Sequence, residues 1–123
     1  MDASRTTTEV IQEHLGYRLR GDLEKDLRNY AGDVVMLTGS GRYDGHDGLR
    51  AAAAELKRLV GEDAQYTYNE TLVAGPYAFL QWSARVASEE RVTDGADSFV
   101  VQDGLIVLQT IHYTVNGKSS GTP

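Results

Sequence analysis

The sequence predicts an α+β domain, helical in its first half and strand-rich in its second. Two observations carry this. Apolar residues recur at helical spacing up to Val60, and from Ala64 onward they alternate with a period of two. Between the last two alternating runs stands Asp103-Gly104, a two-residue hairpin signal that makes those strands antiparallel. No repeat, low-complexity run or linker interrupts residues 1–123, which read as one domain.

The first helix starts at Thr6, with Glu9 three residues on as a capping box. Val10, Ile11, His14, Leu15 and Leu19 follow at helical spacing, and Gly21 breaks the pattern. Asp22 caps a short second helix in which Leu23, Leu27 and Tyr30 make one apolar face. Val34, Val35, Met36 and Leu37 read as a short buried strand, and residues 38–45 as a glycine-rich loop. A third helix over 46–60 carries a stripe of Leu49, Ala52, Ala53, Leu56, Leu59 and Val60, with Gly61 as its stop. Four strands follow at about 65–74, 77–87, 91–102 and 105–115. The middle connection turns at Ser88-Glu89-Glu90, with Gly95 as a bulge, or else at Asp94-Gly95. The small, polar residues 116–123 read as a frayed tail.

Composition narrows the function. The formal net charge is -6, with no basic face, so nucleic acid and acidic membrane surfaces are poor partners. There is no cysteine, which excludes disulfides, thiolate nucleophiles and cysteine zinc sites. No stretch approaches the roughly 20 apolar residues of a membrane span. The first residues lack the apolar core of a secretion signal, so a cytoplasmic location is expected and Asn69-Glu70-Thr71 reads as a chance glycosylation triplet.

Strand alternation assigns faces. Ala78, Leu80, Trp82, Ala84 and Val86 share one side of their strand and should point inward. In the last strand Val107, Gln109, Ile111, Tyr113 and Val115 form the inward set. Asp97 shares a face with Phe99 and Val101. It is either solvated at the rim, near a bulge, or an acid inside a pocket, where the cost of burying a carboxylate is tolerated. His14 lies on a stripe with Val10 and Tyr17, as a satisfied core-edge histidine or as a pocket donor or base. His46, at the start of the third helix, reads as solvated or capping, and His112 as outward-facing.

Other motifs fail on spacing. Gly39 and Gly41 follow a strand, but the third glycine of a dinucleotide fingerprint is replaced by Asp44. The three histidines form no helical pair and meet no suitably spaced carboxylate cluster, so no metal site is expected. Ser40 lies in Thr-Gly-Ser-Gly-Arg rather than Gly-x-Ser-x-Gly.

The element order, with Gly21-Asp22-Leu23, residues 30–35, residues 43–50, Asp97-Ser98-Phe99 and residues 103–106, resembles the nuclear transport factor 2-like superfamily, in its SnoaL-like and ketosteroid isomerase-like branch. The resemblance covers about residues 6–115. It implies a cone: a curved, mostly antiparallel sheet wrapped around N-terminal helices and enclosing a pocket for a small apolar or partly polar ligand. It also implies a homodimer formed through the outer sheet face, here Phe79, Val100, Leu108 and Thr110. It suggests cofactor-independent isomerase, cyclase or dehydratase chemistry, or a non-catalytic binding or protein-interaction module. In the isomerase an aspartate base works with a tyrosine and a neutral aspartic acid as oxyanion donors. The resemblance places His14 at the tyrosine, Asp97 at the aspartic acid, and Thr38, which cannot abstract a proton, at the base. His14 and Asp97 are therefore the expected catalytic pair, with Tyr17, Trp82, Phe99, Gln109, Ile111 and Tyr113 as ligand contacts.

Overall fold

In the computed structural model, which describes residues 5–116, the chain begins with a capped helix, α1 (Thr7–Arg20). The Thr6 hydroxyl accepts from the Glu9 N–H and the Glu9 carboxylate accepts from the Thr6 N–H, which satisfies two otherwise orphaned donors. Gly21, at φ 71°, ends the helix in the left-handed conformation that glycine adopts without strain. Asp22 caps α2 (Leu23–Asp26), which tightens into a single 3-10 turn over Leu27–Asn29. β1 (Tyr30–Thr38) starts four residues earlier than the expected strand. The expected glycine-rich loop is a hairpin instead: β2 (Gly41–Asp44) pairs antiparallel with β1 from Val35 to Thr38. Glycine content marked the turn there, and the short strand that it feeds escaped the pattern.

Helix α3 (Gly45–Val60) buries Leu49, Ala52 and Val60. The expected strand at 65–74 is broken in two, β3 (Gln65–Tyr68) and β4 (Leu72–Ala74), which pair with different parts of the same neighbour, β5 (Tyr77–Val86). β5 runs into β6 (Glu89–Gln102) through Ala87 and Ser88, one residue ahead of the expected turn. β6 joins β7 (Leu105–His112) through Asp103 and Gly104, both at positive φ, as a tight primed turn requires.

The sheet order is β2-β1-β7-β6-β5-β3, with β4 also on β5. Only β1 and β7 are parallel, Met36 lying beside Gln109; every other pair is antiparallel. Register shifts on both sides of β6, and one between β1 and β7, bend it. Trp82 pairs with Gly95, Ala84 with Val92 and Arg85 with Glu90, so β6 gains one residue on β5 at each step, and Thr93 and Asp94 together face Ser83. A second slip separates Val100–Leu108 from Val101–Ile106. Extra residues increase local twist, and here they curl the sheet around the helices. The second slip also switches the inward parity of β7, so that Ile106 is fully buried and Val107 only partly. The alternation expected for β7 thus holds at Gln109 and fails at Val107.

The core lies between the concave face and the helices, with Val10, Ile11, Val34, Leu80, Val92, Phe99 and Ile106 nearly or wholly excluded from solvent. Among the described residues no helix is long and apolar enough to cross a membrane.

Candidate functional site

Six elements aim polar side chains at one point inside the cone. β6 supplies Asp97, β5 Trp82, β7 Gln109, α1 His14, α2 Asp26 and β1 Tyr30, and all of them line one cavity. Trp82 Nε1 donates to Asp97 Oδ1 at 2.9 Å, and Gln109 Nε2 donates to Asp97 Oδ2 at 3.0 Å. Gln109 Oε1 accepts from the Tyr30 hydroxyl at 2.5 Å. His14 Nδ1 lies 2.8 Å from Asp26 Oδ2 and 3.4 Å from the Tyr30 hydroxyl. Asn29 Nδ2 donates to Asp26 Oδ1 at 3.1 Å, and Arg5 donates to Asn29 Oδ1 at 2.9 Å.

These bonds fix proton positions. The carboxylate of Asp26 only accepts, and the Tyr30 proton is committed to Gln109, so Nδ1 of His14 must carry a proton. Nε2 is then the working nitrogen, and it has no protein partner among the described residues. Asp97 is only 7% exposed, and burial pushes its carboxyl up to about 6 against the opposing pull of the Trp82 and Gln109 hydrogen bonds and the nearby His14. Burial, reinforced by the Asp26 charge, likewise holds the Tyr30 phenol well above its ordinary range, so it stays a neutral donor.

The cavity measures about 50 Å³. Pockets for drug-sized ligands measure roughly 300–1000 Å³, so this cavity has room for a small reacting group only. Arg18, Leu23, Ala53, Leu56 and Tyr66 line both this cavity and a groove of about 610 Å³ between α1, α2 and α3, and they form the partition between the two.

Of the residues expected at the site, His14, Asp97, Trp82, Gln109 and Ile111 line the cavity. Asp97 is buried rather than solvated at a rim. Phe99 lies behind His14, ring edge to face at 5.5 Å, and Tyr113 packs against Trp82 at 5.8 Å. Tyr17 lines the outer groove, where its ring carries the Arg20 guanidinium at 4.9 Å. Thr38 bonds Ser40 at 3.0 Å at the end of β1 and does not line the cavity. His46 Nε2 meets the Tyr30 carbonyl at 3.1 Å, and exposed His112 lies 3.4 Å from Asp94. Sequence reasoning missed Asp26, Tyr30, Arg18, Tyr66 and Tyr68, which also line the cavity. A signal existed for Asp26: three residues after Leu23 and four before Tyr30, it is an acid on the stripe assigned as apolar. Among the described residues no group of three or more His, Cys, Asp or Glu could hold a metal ion.

A family model described as the SnoaL-like domain matches residues 11–109, which span every element from α1 to the cavity residue Gln109. The chain belongs to the SnoaL-like family. Solved structures agree on the fold. A nuclear transport factor 2-like protein of unknown function from Mesorhizobium loti superposes with a TM-score of 0.73 at 22% identity, covering 90% of this chain and 91% of that one. A candidate ketosteroid isomerase from Kribbella flavida gives 0.71 at 18% identity, covering 95% and 82%. A candidate polyketide cyclase from Sinorhizobium meliloti gives 0.68 at 18%, covering 83% and 92%. No curated protein matches the chain in sequence. At these identities the likeness is one of fold, and the SnoaL-like cone must be read for chemistry from its own residues.

Proposed function

We propose that this SnoaL-like chain is a cofactor-independent acid–base enzyme, an isomerase, cyclase or dehydratase that acts on a small carbonyl compound. One observation carries the reading: two titratable groups from different elements, Asp97 and the Asp26-held His14, face the same cavity. With its carboxyl pushed up to about 6, Asp97 is mostly ionised at neutral pH, yet still basic enough to take a proton. Protonated His14 would aim Nε2–H into the cavity, its positive charge stabilised by Asp26, as in an Asp–His dyad.

The elementary step is enolisation. The substrate C–H bond breaks, its proton goes to Asp97, its electron pair forms the enolate, and the enolate oxygen accepts from His14 Nε2–H. Reversal at another carbon isomerises; attack by the enolate carbon on a second carbonyl, whose π pair moves to its oxygen and takes a proton from His14, cyclises; loss of a β-hydroxyl, protonated by His14, dehydrates. The test is deuterium exchange of 2-butanone in heavy water, followed by proton NMR. Exchange above the buffer rate that disappears in both Asp97→Asn and His14→Ala supports the assignment. Parent protein no faster than buffer refutes the chemistry.

A second reading, a ligand-binding module without turnover, draws on a different observation. Most of the polar atoms around the cavity are already satisfied by one another, and among the described residues the only side-chain nitrogen or oxygen wholly shut off from solvent and lacking a partner is Arg5 Nε. A saturated network of this kind can serve as a rigid recognition surface.

For assembly, we propose a homodimer through the outer sheet face. There Leu72, Val73, Tyr77 and Phe79 are 40–63% exposed, and with Val100 and Leu108 they line one open apolar groove. An apolar surface of this kind is unusual for a free face.

A further inference from the structure

The partition between cavity and groove contains a charge that no carboxylate among the described residues neutralises. Arg18 lies one turn along α1 from His14, on the same face, and its guanidinium lies 5.7 Å from the centre of the Tyr66 ring. It forms no ion pair among the described residues. The groove outside it is lined by four basic side chains, Arg18, Arg20, Arg50 and Lys57, against two acidic ones, Asp22 and Glu62. Arg50 is occupied by Glu24 and Asp47, but Arg20 and Lys57, like Arg18, have no carboxylate partner among the described residues. In a chain whose formal net charge is -6, the mouth of the cavity is a local basic patch.

From this we infer that the ligand is a small carboxylate, its acid group paired with Arg18 and its reactive carbonyl one helical turn deeper, between His14 and Asp97. A guanidinium presents paired N–H donors that match a carboxylate. Partial burial beside Tyr66 and Tyr68 strengthens such a pair, because water competes poorly there. Burial raises both phenols, and the neighbouring Arg18 charge opposes that rise. Arg18 and His14 are separated by about 6 Å along the helix axis, which suits a small molecule whose carboxylate and ketone lie a few bonds apart. Arg20 and Lys57, farther out, draw the anion towards the mouth.

The inference rests on reading the cavity as the ligand site, and it concerns binding, so its failure is separable from failure of the chemistry. The probe is 4-oxopentanoate against its neutral methyl ester, with binding read from Trp82 fluorescence and from the Arg18 Nε–H signal by NMR. Since a charge-assisted hydrogen bond outweighs a neutral one by roughly tenfold in affinity, the acid should bind at least about tenfold more tightly than the ester. In Arg18→Gln that preference should vanish, while Arg20→Gln should keep most of it. Equal binding of acid and ester by the parent, or no binding of either at millimolar concentration, overturns the inference without reliance on any variant. So does an acid preference that survives in folded Arg18→Gln. Absent 2-butanone exchange with an intact acid preference removes the enolisation reading and supports the carboxylate anchor.

Discussion

The indole of Trp82 lies directly against Gly95 across the β5–β6 ladder, so close that a Cβ built on that glycine would come within 2.3 Å of the ring. The contact explains why glycine stands at the end of the bulged stretch of β6. It lets the only tryptophan lie flat against the strand and turn its N–H onto Asp97. Gly95→Ala should displace the indole, weaken its bond to Asp97 and destabilise the fold by about 1–3 kcal/mol, as overpacking does. The check needs no substrate: a shift in tryptophan emission together with a lower urea midpoint. An unchanged spectrum and midpoint would show that the contact is not close in solution.

Asp97 should leave a signature in stability against pH. Its carboxyl rises from an ordinary 3.8 to about 6 on folding. Between those values the native state therefore holds a proton that the unfolded chain has released. The sign follows: stability falls as pH rises from about 4 to about 6, and levels off above. The full shift corresponds to about 3 kcal/mol at 1.36 kcal/mol per unit. Asp97→Asn cannot titrate, so its stability relative to the parent should improve across that window. Urea unfolding of both proteins from pH 4 to pH 8 measures the difference. A difference that does not change with pH would mean that Asp97 is not buried as a titrating acid.

How much of this could be seen beforehand depended on the range of the interaction. The Thr6–Glu9 capping box, Gly21, Asp22 and the Asp103-Gly104 turn are local, and the sequence shows them at nearly their true positions. The inward face of β5 follows from alternation alone. Alternation fails where a second strand sets the register: the slip near Val100 reverses parity at Ile106, and no residue type announces it. The site was half legible for the same reason. Asp97 and Gln109 stand out as polar residues on inward strand faces. Asp26 reaches His14 only because α2 folds back against α1, which is tertiary information.

The apolar outer face gives a prediction on assembly. Phe79 sits at its centre, 41% exposed, with Tyr77 and Leu72 more exposed beside it. If two copies bury this face together, Phe79→Glu places a charge in the interface and should shift the dimer to monomer at tens of micromolar, with the fold intact because Phe79 points away from the core. Light scattering with circular dichroism decides it. A parent protein that is already monomeric rules out the dimer, and a dimeric Phe79→Glu rules out this face.

The dyad makes the sharpest prediction. Both Asp26 oxygens accept, one from His14 Nδ1 and one from Asn29 Nδ2. An asparagine there has one acceptor. If its oxygen stays with Asn29, whose own carbonyl is held by Arg5, its NH₂ must face His14. Nδ1 then has to accept, and the imidazole proton moves to Nε2. Asp26→Asn should therefore invert the tautomer of His14, and nitrogen NMR reads it directly at a pH where the ring is neutral: Nδ1–H in the parent, Nε2–H in the variant. The variant also loses the carboxylate that stabilises the imidazolium. A neutral Nε2–H is a weaker donor to an enolate than a charged one, so 2-butanone exchange should fall by about tenfold or more. The stability cost should be about 1–3 kcal/mol, the penalty for a buried hydrogen bond made with the wrong partner. A parent His14 already protonated on Nε2 alone would contradict the Asp26 contact, and with it the claim that Asp26 prepares this ring for catalysis.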